Sequence, residues 1–281
     1  RMPQYTTGLL ITVLTVTTGL SQSPDDSPSI ASRTSLATES ARTAEAYYLF
    51  ARGQMLEIDG DWEAALESYE QALALDPTNS SIYSEIATSY AGRGIWRDAV
   101  DYANRAISAN EDNLDAHRLL SSIYINLMPN DGDQRGSEEF IELAIEALEH
   151  VVRLSPDETQ AYLMLGRIYR FSGQPERAFE VYRDFIDIEP SSEEGVVALA
   201  ELQMDAGNID EAIELLEDFK VNQSESDSAL IVLGQAYVQV DKLDSAADVF
   251  QRVIDLGREE IEIRQELARI LFVSERWDDA A

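Results

Sequence analysis

The residues of this 281-residue chain that could do chemistry are few: two histidines, no cysteine, and a knot of acids near residue 131. A nucleophile, base or metal site needs partners held close by, and spacing is the first test of whether they exist. Neither His117 nor His150 has a ligand-type residue at i+3 or i+4, and His117 fills the aromatic slot of its helix, so it reads as a packed side chain. Asp131, Asp133, Gly136 and Glu142 fall at offsets 1, 3, 6 and 12 of a calcium-binding loop. Arg135 sits at a ligand position of that pattern, however, and Glu142 belongs to a helical stretch, so a flexible acidic insertion is the better reading. The absence of cysteine removes disulfides, zinc–thiolate sites and thiol nucleophiles. There is no phosphate-binding glycine loop and no GxSxG motif. The sequence therefore offers no catalytic residue, no metal site and no cofactor, and reads as that of a non-enzyme.

Charge narrows the partners. With 53 acidic and 21 basic residues the formal net charge is −32, and only Lys220 and Lys242 are lysines. The acids run along the whole chain rather than forming a tail. A field of this sign repels phosphate backbones and anionic lipid heads, which excludes nucleic-acid and membrane-surface binding by the folded part. Dense carboxylates with scarce lysine also suit a protein adapted to high salt, where screening relieves self-repulsion.

The ends of the chain differ from its middle. Residues 8–20 form an uncharged run of 13, too short to cross a bilayer, which takes about 20 residues. The run suits the apolar part of an export signal followed by small residues, giving a signal or anchor over 1–21 and an exported, periplasmic or envelope location. Without export the chain would be cytoplasmic. Residues 22–42, rich in Ser, Pro and acids, read as a disordered linker.

The rest is periodic. Ala65, Ala99, Ala144, Ala178, Ala212, Ala246 and Ala280 are separated by 34, 45, 34, 34, 34 and 34 residues. Residues 160–190 show what one period contains. Tyr162, Leu165, Gly166 and Tyr169 share one face of a first helix, and Gly173-Gln174-Pro175 makes a turn. Ala178, Tyr182 and Phe185 face inward from a second helix, and Pro190 ends the unit. Gly166 and Ala178 are small where the two helices cross. The first unit carries the same signature in Gly53, Leu56, Gly60, Ala65, Tyr69, Ala72 and Pro77, and the second departs from it with Glu111 where a proline is usual. The fifth lacks the tyrosine and shows Gln203, and the sixth has Asp241 where glycine is common at the turn. The extra 11 residues of the long interval fall at about 125–138, where Pro129, Gly132 and Gly136 point to an exposed loop.

In period and in these positions the sequence resembles the tetratricopeptide repeat family over residues 43–281. The resemblance implies an all-α fold: a right-handed superhelical solenoid of antiparallel helix hairpins, six complete and a seventh cut short. A cut hairpin leaves an apolar face bare, so the natural protein is expected to continue past Ala281. The family binds peptides or proteins on a concave surface lined by first helices. Carried onto this register, the inward candidates are Tyr47, Phe50 and Gln54, then Ser84 and Thr88, then Arg118 and Ser122. Leu163, Arg167 and Arg170 follow, then Val197 and Glu201, then Ile231, Gln235 and Val238. Chaperone-binding members clamp a terminal carboxylate with lysines and asparagines, and these positions hold neither. Arg118, Arg167 and Arg170 instead suggest a groove for an acidic or C-terminal peptide segment, with apolar contacts at Leu163, Val197 and Ile231. The same arginines could simply neutralise neighbouring glutamates. The function expected is a non-catalytic protein-interaction scaffold; the alternative is a regulatory arm of a larger enzyme or signalling protein whose active domain lies beyond residue 281.

Overall fold

A computed structural model describes residues 30–128, 134–222, 227–257 and 261–273. It contains α1 (Ile30–Ile58) with α2 (Trp62–Leu75), α3 (Ser80–Ala91) with α4 (Trp96–Ala109), and α5 (Leu114–Leu127) with α6 (Gln134–Leu154). Then come α7 (Thr159–Phe171) with α8 (Pro175–Ile188), α9 (Glu193–Asp205) with α10 (Ile209–Asn222), α11 (Asp227–Gln239) with α12 (Leu243–Asp255), and α13 (Ile261–Val273). Among the described residues there are no strands, and the six pairs are the six hairpins of the sequence period. They stack as an all-α solenoid, each hairpin packing mainly on its neighbours. No helix among these residues is long and apolar enough to cross a membrane.

The period is enforced by small residues. All six repeat alanines that are described, Ala65, Ala99, Ala144, Ala178, Ala212 and Ala246, are fully buried. Gly166 of α7 lies directly under the Tyr182 ring of α8, and Gly53 of α1 lies the same way under Tyr69 of α2. A Cβ on Gly234 of α11 would fall 2.7 Å from the Phe250 ring of α12. The close approach of the two helices in a hairpin therefore depends on a missing side chain opposite a large ring. Turns between the helices use the left-handed conformation at Gly60, Gly94, Gly173 and Gly207, and Asp241 adopts it too, at φ 58°. Aspartate tolerates that region better than most residues because its short side chain bonds locally. Between hairpins, Asn79, Asn113 and Ser192 cap α3, α5 and α9 through their side-chain oxygens. Most of the core falls into two large clusters, with Ile186 and Leu215 packed against both.

Two expectations are corrected. The segment 22–42, read as an unstructured linker, is helical from Ile30 onward as the first turns of α1. No glycine or proline occurs between Pro28 and Gly53, so nothing stops the helix from running backward out of the packed part. The insertion at 125–138, read as an exposed loop, is helical at both ends: α5 continues to Leu127 and α6 starts at Gln134. Gly136 costs such a helix only about 1 kcal/mol, less than the packing of Ile141, Ala144, Ile145, Leu148 and Val151 downstream returns. Positions 4–12 of the calcium-loop pattern are thus helical, and Glu142 is exposed on α6. Asp131 and Asp133, the segment 1–21 and the second helix of the seventh unit lie outside the described residues.

Candidate functional site

Because each first helix repeats its register, equivalent side chains return to one face. One row is Gln54, Thr88, Ser122, Arg167, Glu201 and Gln235; the adjacent row is Phe50, Ser84, Arg118, Leu163, Val197 and Ile231. First helices touch one another directly, α3 on α5, α7 on α9 and α9 on α11. Second helices do not meet to a similar extent, which puts the first helices on the inside of the curve. Three open recesses mark this face. One of about 160 Å³ lies between α1 and α3 beside Tyr47 and Phe50. Another of about 510 Å³ lies between α3 and α5 beside Ser84, Thr88 and Arg118. A third of about 280 Å³ lies between α7 and α9 beside Arg167, Arg170, Val197 and Glu201.

The two rows do different work. Along the first, Thr88, Ser122, Arg167 and Gln235 are exposed, Glu201 is half-buried, and Gln54 donates to Glu85 at 3.1 Å. The second row is largely taken up by the fold. Ser84 is buried and donates to the Asn113 side chain at 3.0 Å, tying the second hairpin to the cap of the third. Leu163, expected to offer apolar contact, is 6% exposed and belongs to the core, because α7 presses this turn against its neighbours. Phe50 is half-buried against Tyr69, with 5.8 Å between ring centroids. Val197, Ile231 and Val238 are half-buried at the edge of the core, whereas Tyr47 is 63% exposed.

The three arginines part company. Glu158 Oε2 accepts from Arg118 Nε at 2.7 Å and from Nη2, and Asp115 lies 3.4 Å away. Arg170 reaches Glu201 at 3.1 Å and Asp205 at 2.8 Å. For these two, neutralising neighbouring glutamates is the outcome, since each carboxylate comes from the same or the next hairpin. Among the described residues Arg167 has no carboxylate at ion-pair distance. Its neighbour in the recess is Tyr182 of α8, 1% exposed. Burial pushes the Tyr182 phenol up, and Arg167 and Arg170 draw it partly back. Sequence reasoning treated Tyr182 only as core. Comparing repeats would have flagged it, since Tyr69 at the same position faces Glu57 while Tyr182 faces Arg170.

A second meeting of side chains also escaped the sequence. His117 of α5 and His150 of α6 stack ring on ring, with 4.3 Å between centroids and 5° between planes. His117 Nε2 donates to the Glu111 carbonyl at 2.9 Å, and Arg153 donates to His150 Nδ1 at 3.0 Å. Among the described residues, no three His, Cys, Asp or Glu are grouped to hold a metal.

Known proteins place this arrangement. Models described as "TPR repeat" and "Tetratricopeptide repeat" match residues 53–94, 136–193, 171–219 and 197–261. The human protein O-mannosyl-transferase TMTC1 is 27% identical over 142 residues, which is 41% of this chain. The chain spans only 16% of that protein's length. Photosystem I assembly protein Ycf3 of Parasynechococcus marenigrum (strain WH8102) is 30% identical over 122 residues, covering 41% of this chain and 70% of the relative. Among solved structures, YrrB, titled a TPR protein with an unusual peptide-binding site, superposes with a TM-score of 0.55 at 14% identity. That superposition covers 70% of this chain and 96% of YrrB, and at such identity the likeness is one of fold. With the 34-residue period, the hairpin each period builds and the family models in agreement, the chain belongs to the tetratricopeptide repeat family.

Proposed function

We propose that the protein is a non-catalytic scaffold that holds a peptide or protein partner against its concave face. The observation carrying this reading is the row Thr88, Ser122, Arg167, Glu201 and Gln235. Five successive first helices align these side chains on one face, and helix packing uses little of them. Membership of a repeat family that binds proteins supports it, as does the assembly role in the name of Ycf3. The acidity of the chain, at −32, disfavours nucleic acid and anionic lipid as the occupant.

The test is affinity capture from the source lysate with the full chain. Thr88→Arg/Gln235→Arg puts two large cations on the exposed row, and Glu180→Arg on α8 is the control. Proteins held by the wild type and the control should be lost from the double variant. Recovery of the same proteins by all three would sink the reading.

A second reading has one observation in its favour: the match to the O-mannosyl-transferase covers 16% of that protein. On that reading the array is the regulatory arm of a larger enzyme or signalling protein, and sequencing the full reading frame separates the two. Export directed by residues 8–20 belongs to the first reading and is supported by the sequence of that run alone.

A further inference from the structure

The recess between α7 and α9 holds two donors that find no acceptor among the described residues. Tyr182 lies with its ring against Gly166, is 1% exposed, and lines the recess. Among the described residues its hydroxyl has no hydrogen-bond partner. The equivalent tyrosine of the first hairpin is satisfied internally: Tyr69 donates to Glu57 at 3.1 Å. Two ordinary periods and the long one later, the position of Glu57 is held by Arg170. The fourth hairpin has thus exchanged the acceptor of its buried phenol for a cation. Arg170 is held by Glu201 and Asp205, whereas Arg167 has no carboxylate partner among the described residues. A phenol hydroxyl that reaches the recess from a buried ring and a guanidinium facing the same cleft suit a carboxylate, which accepts from both.

Other charges at the recess limit the guest further. Glu193 and Glu194 at the start of α9 also line it. Glu194 accepts only a long bond from Ser192, at 3.3 Å. A guest acidic throughout would meet like charge at this rim, and a neighbouring base would turn that repulsion into attraction. Val197 and Ala198, both half-buried, offer a short apolar floor.

Resting on the reading that the concave face binds peptide, we infer that this recess is a subsite for a mixed-charge segment. Arg167 and the Tyr182 hydroxyl donate to an Asp or Glu side chain of the partner, and Glu193 and Glu194 receive an adjacent Lys or Arg.

The test titrates the full chain with the blocked tripeptide acetyl-Leu-Glu-Lys-amide, followed by NMR. Saturable binding is expected, weakened about tenfold in Arg167→Gln and in Tyr182→Phe. Tyr182→Phe keeps the ring that packs on Gly166, so its melting temperature should stay near that of the wild type. Acetyl-Leu-Gln-Lys-amide and acetyl-Leu-Glu-Glu-amide should both bind worse than the first probe. In Glu193→Gln/Glu194→Gln the preference for the Lys-bearing probe over the all-acidic one should vanish. The inference is overturned if wild type shows no saturable binding at ~10 mM probe. It is equally overturned if the Glu and Gln probes bind alike, or if both recess variants bind as wild type does. Any of these results leaves the scaffold reading to stand or fall on the capture experiment.

Discussion

At the residue scale, His117 titrates in an environment that changes its chemistry. Burial lowers its pKa below the ordinary histidine value, and the bond to the Glu111 carbonyl opposes this. His150 and Arg153 lower it further, and Glu146 raises it. The sign of the stability effect follows. An unfolded chain protonates this histidine near pH 6.5, whereas the folded one resists until lower pH, so folding excludes a proton in that window. The stabilisation is complete above about pH 6.5 and is lost as pH falls toward the lowered native value. Melting temperatures of the wild type and His117→Gln, compared from about pH 7.5 down to pH 5.5, should therefore converge. A gap independent of pH would remove the argument, because the carboxylate titrations are common to both proteins. None of this was legible in the sequence. His117 was readable as a packed residue from its place in the register, but the stacking on His150 depends on how α6 lies against α5. The arginines teach the same lesson. Register assigned Arg118, Arg167 and Arg170 to one region, and only the next hairpin decides which of them are already paired.

At the scale of the helix pair, the glycine opposite a large ring decides the geometry. Gly166→Ala sets two effects against each other. Alanine favours an exposed helix interior by about 1 kcal/mol over glycine. Here its methyl group would fall inside the Tyr182 ring, which is buried. Overpacking of this kind costs about 1–3 kcal/mol, so the clash should win and the variant should be less stable. Denaturant unfolding of Gly166→Ala alone and in a Tyr182→Leu background checks the cause. The penalty for adding the methyl should shrink or reverse once the ring is gone, and an unchanged penalty would mean that something else is strained. This level was the most legible in the sequence, since spacing and small residues together state which faces meet. It failed where helices run past their packed faces. The starts of α1 and α6 have no apolar stripe of their own, so periodicity carried no signal there. Absence of a stripe was mistaken for absence of a helix. Leu163 was misjudged for a related reason: a first helix has one face toward the groove and one toward its neighbours, and a residue on the border looks the same in either role.

For the whole molecule the dominant quantity is its charge, −32 over 281 residues. Two electrostatic terms respond oppositely to salt. Local ion pairs such as Arg105 with Asp101 and Arg153 with Asp112 are exposed, contribute roughly 0–1 kcal/mol each, and weaken as salt is added. Repulsion among the excess carboxylates acts over longer distances and is summed along every hairpin interface of the solenoid. The Debye length falls from about 10 Å at 0.1 M to about 3 Å at 1 M, so the long-range term is screened first and most. Acids outnumber bases more than two to one, and the repulsive term should therefore control the balance. The melting temperature is expected to rise between about 0.1 M and 1 M potassium chloride, most steeply at the low end where screening changes fastest. Chloride is the right salt for the measurement, because sulfate stabilises proteins by exclusion whatever their charge. A flat or falling melting temperature would mean that the ion pairs outweigh the repulsion, and the case for adaptation to high salt would go with it. A rise also carries a consequence for binding. Salt that stabilises the array screens the Arg167 recess as well, so a partner that binds in molar salt has to rely on the half-buried apolar surface at Val197 and on direct hydrogen bonds more than on attraction at a distance.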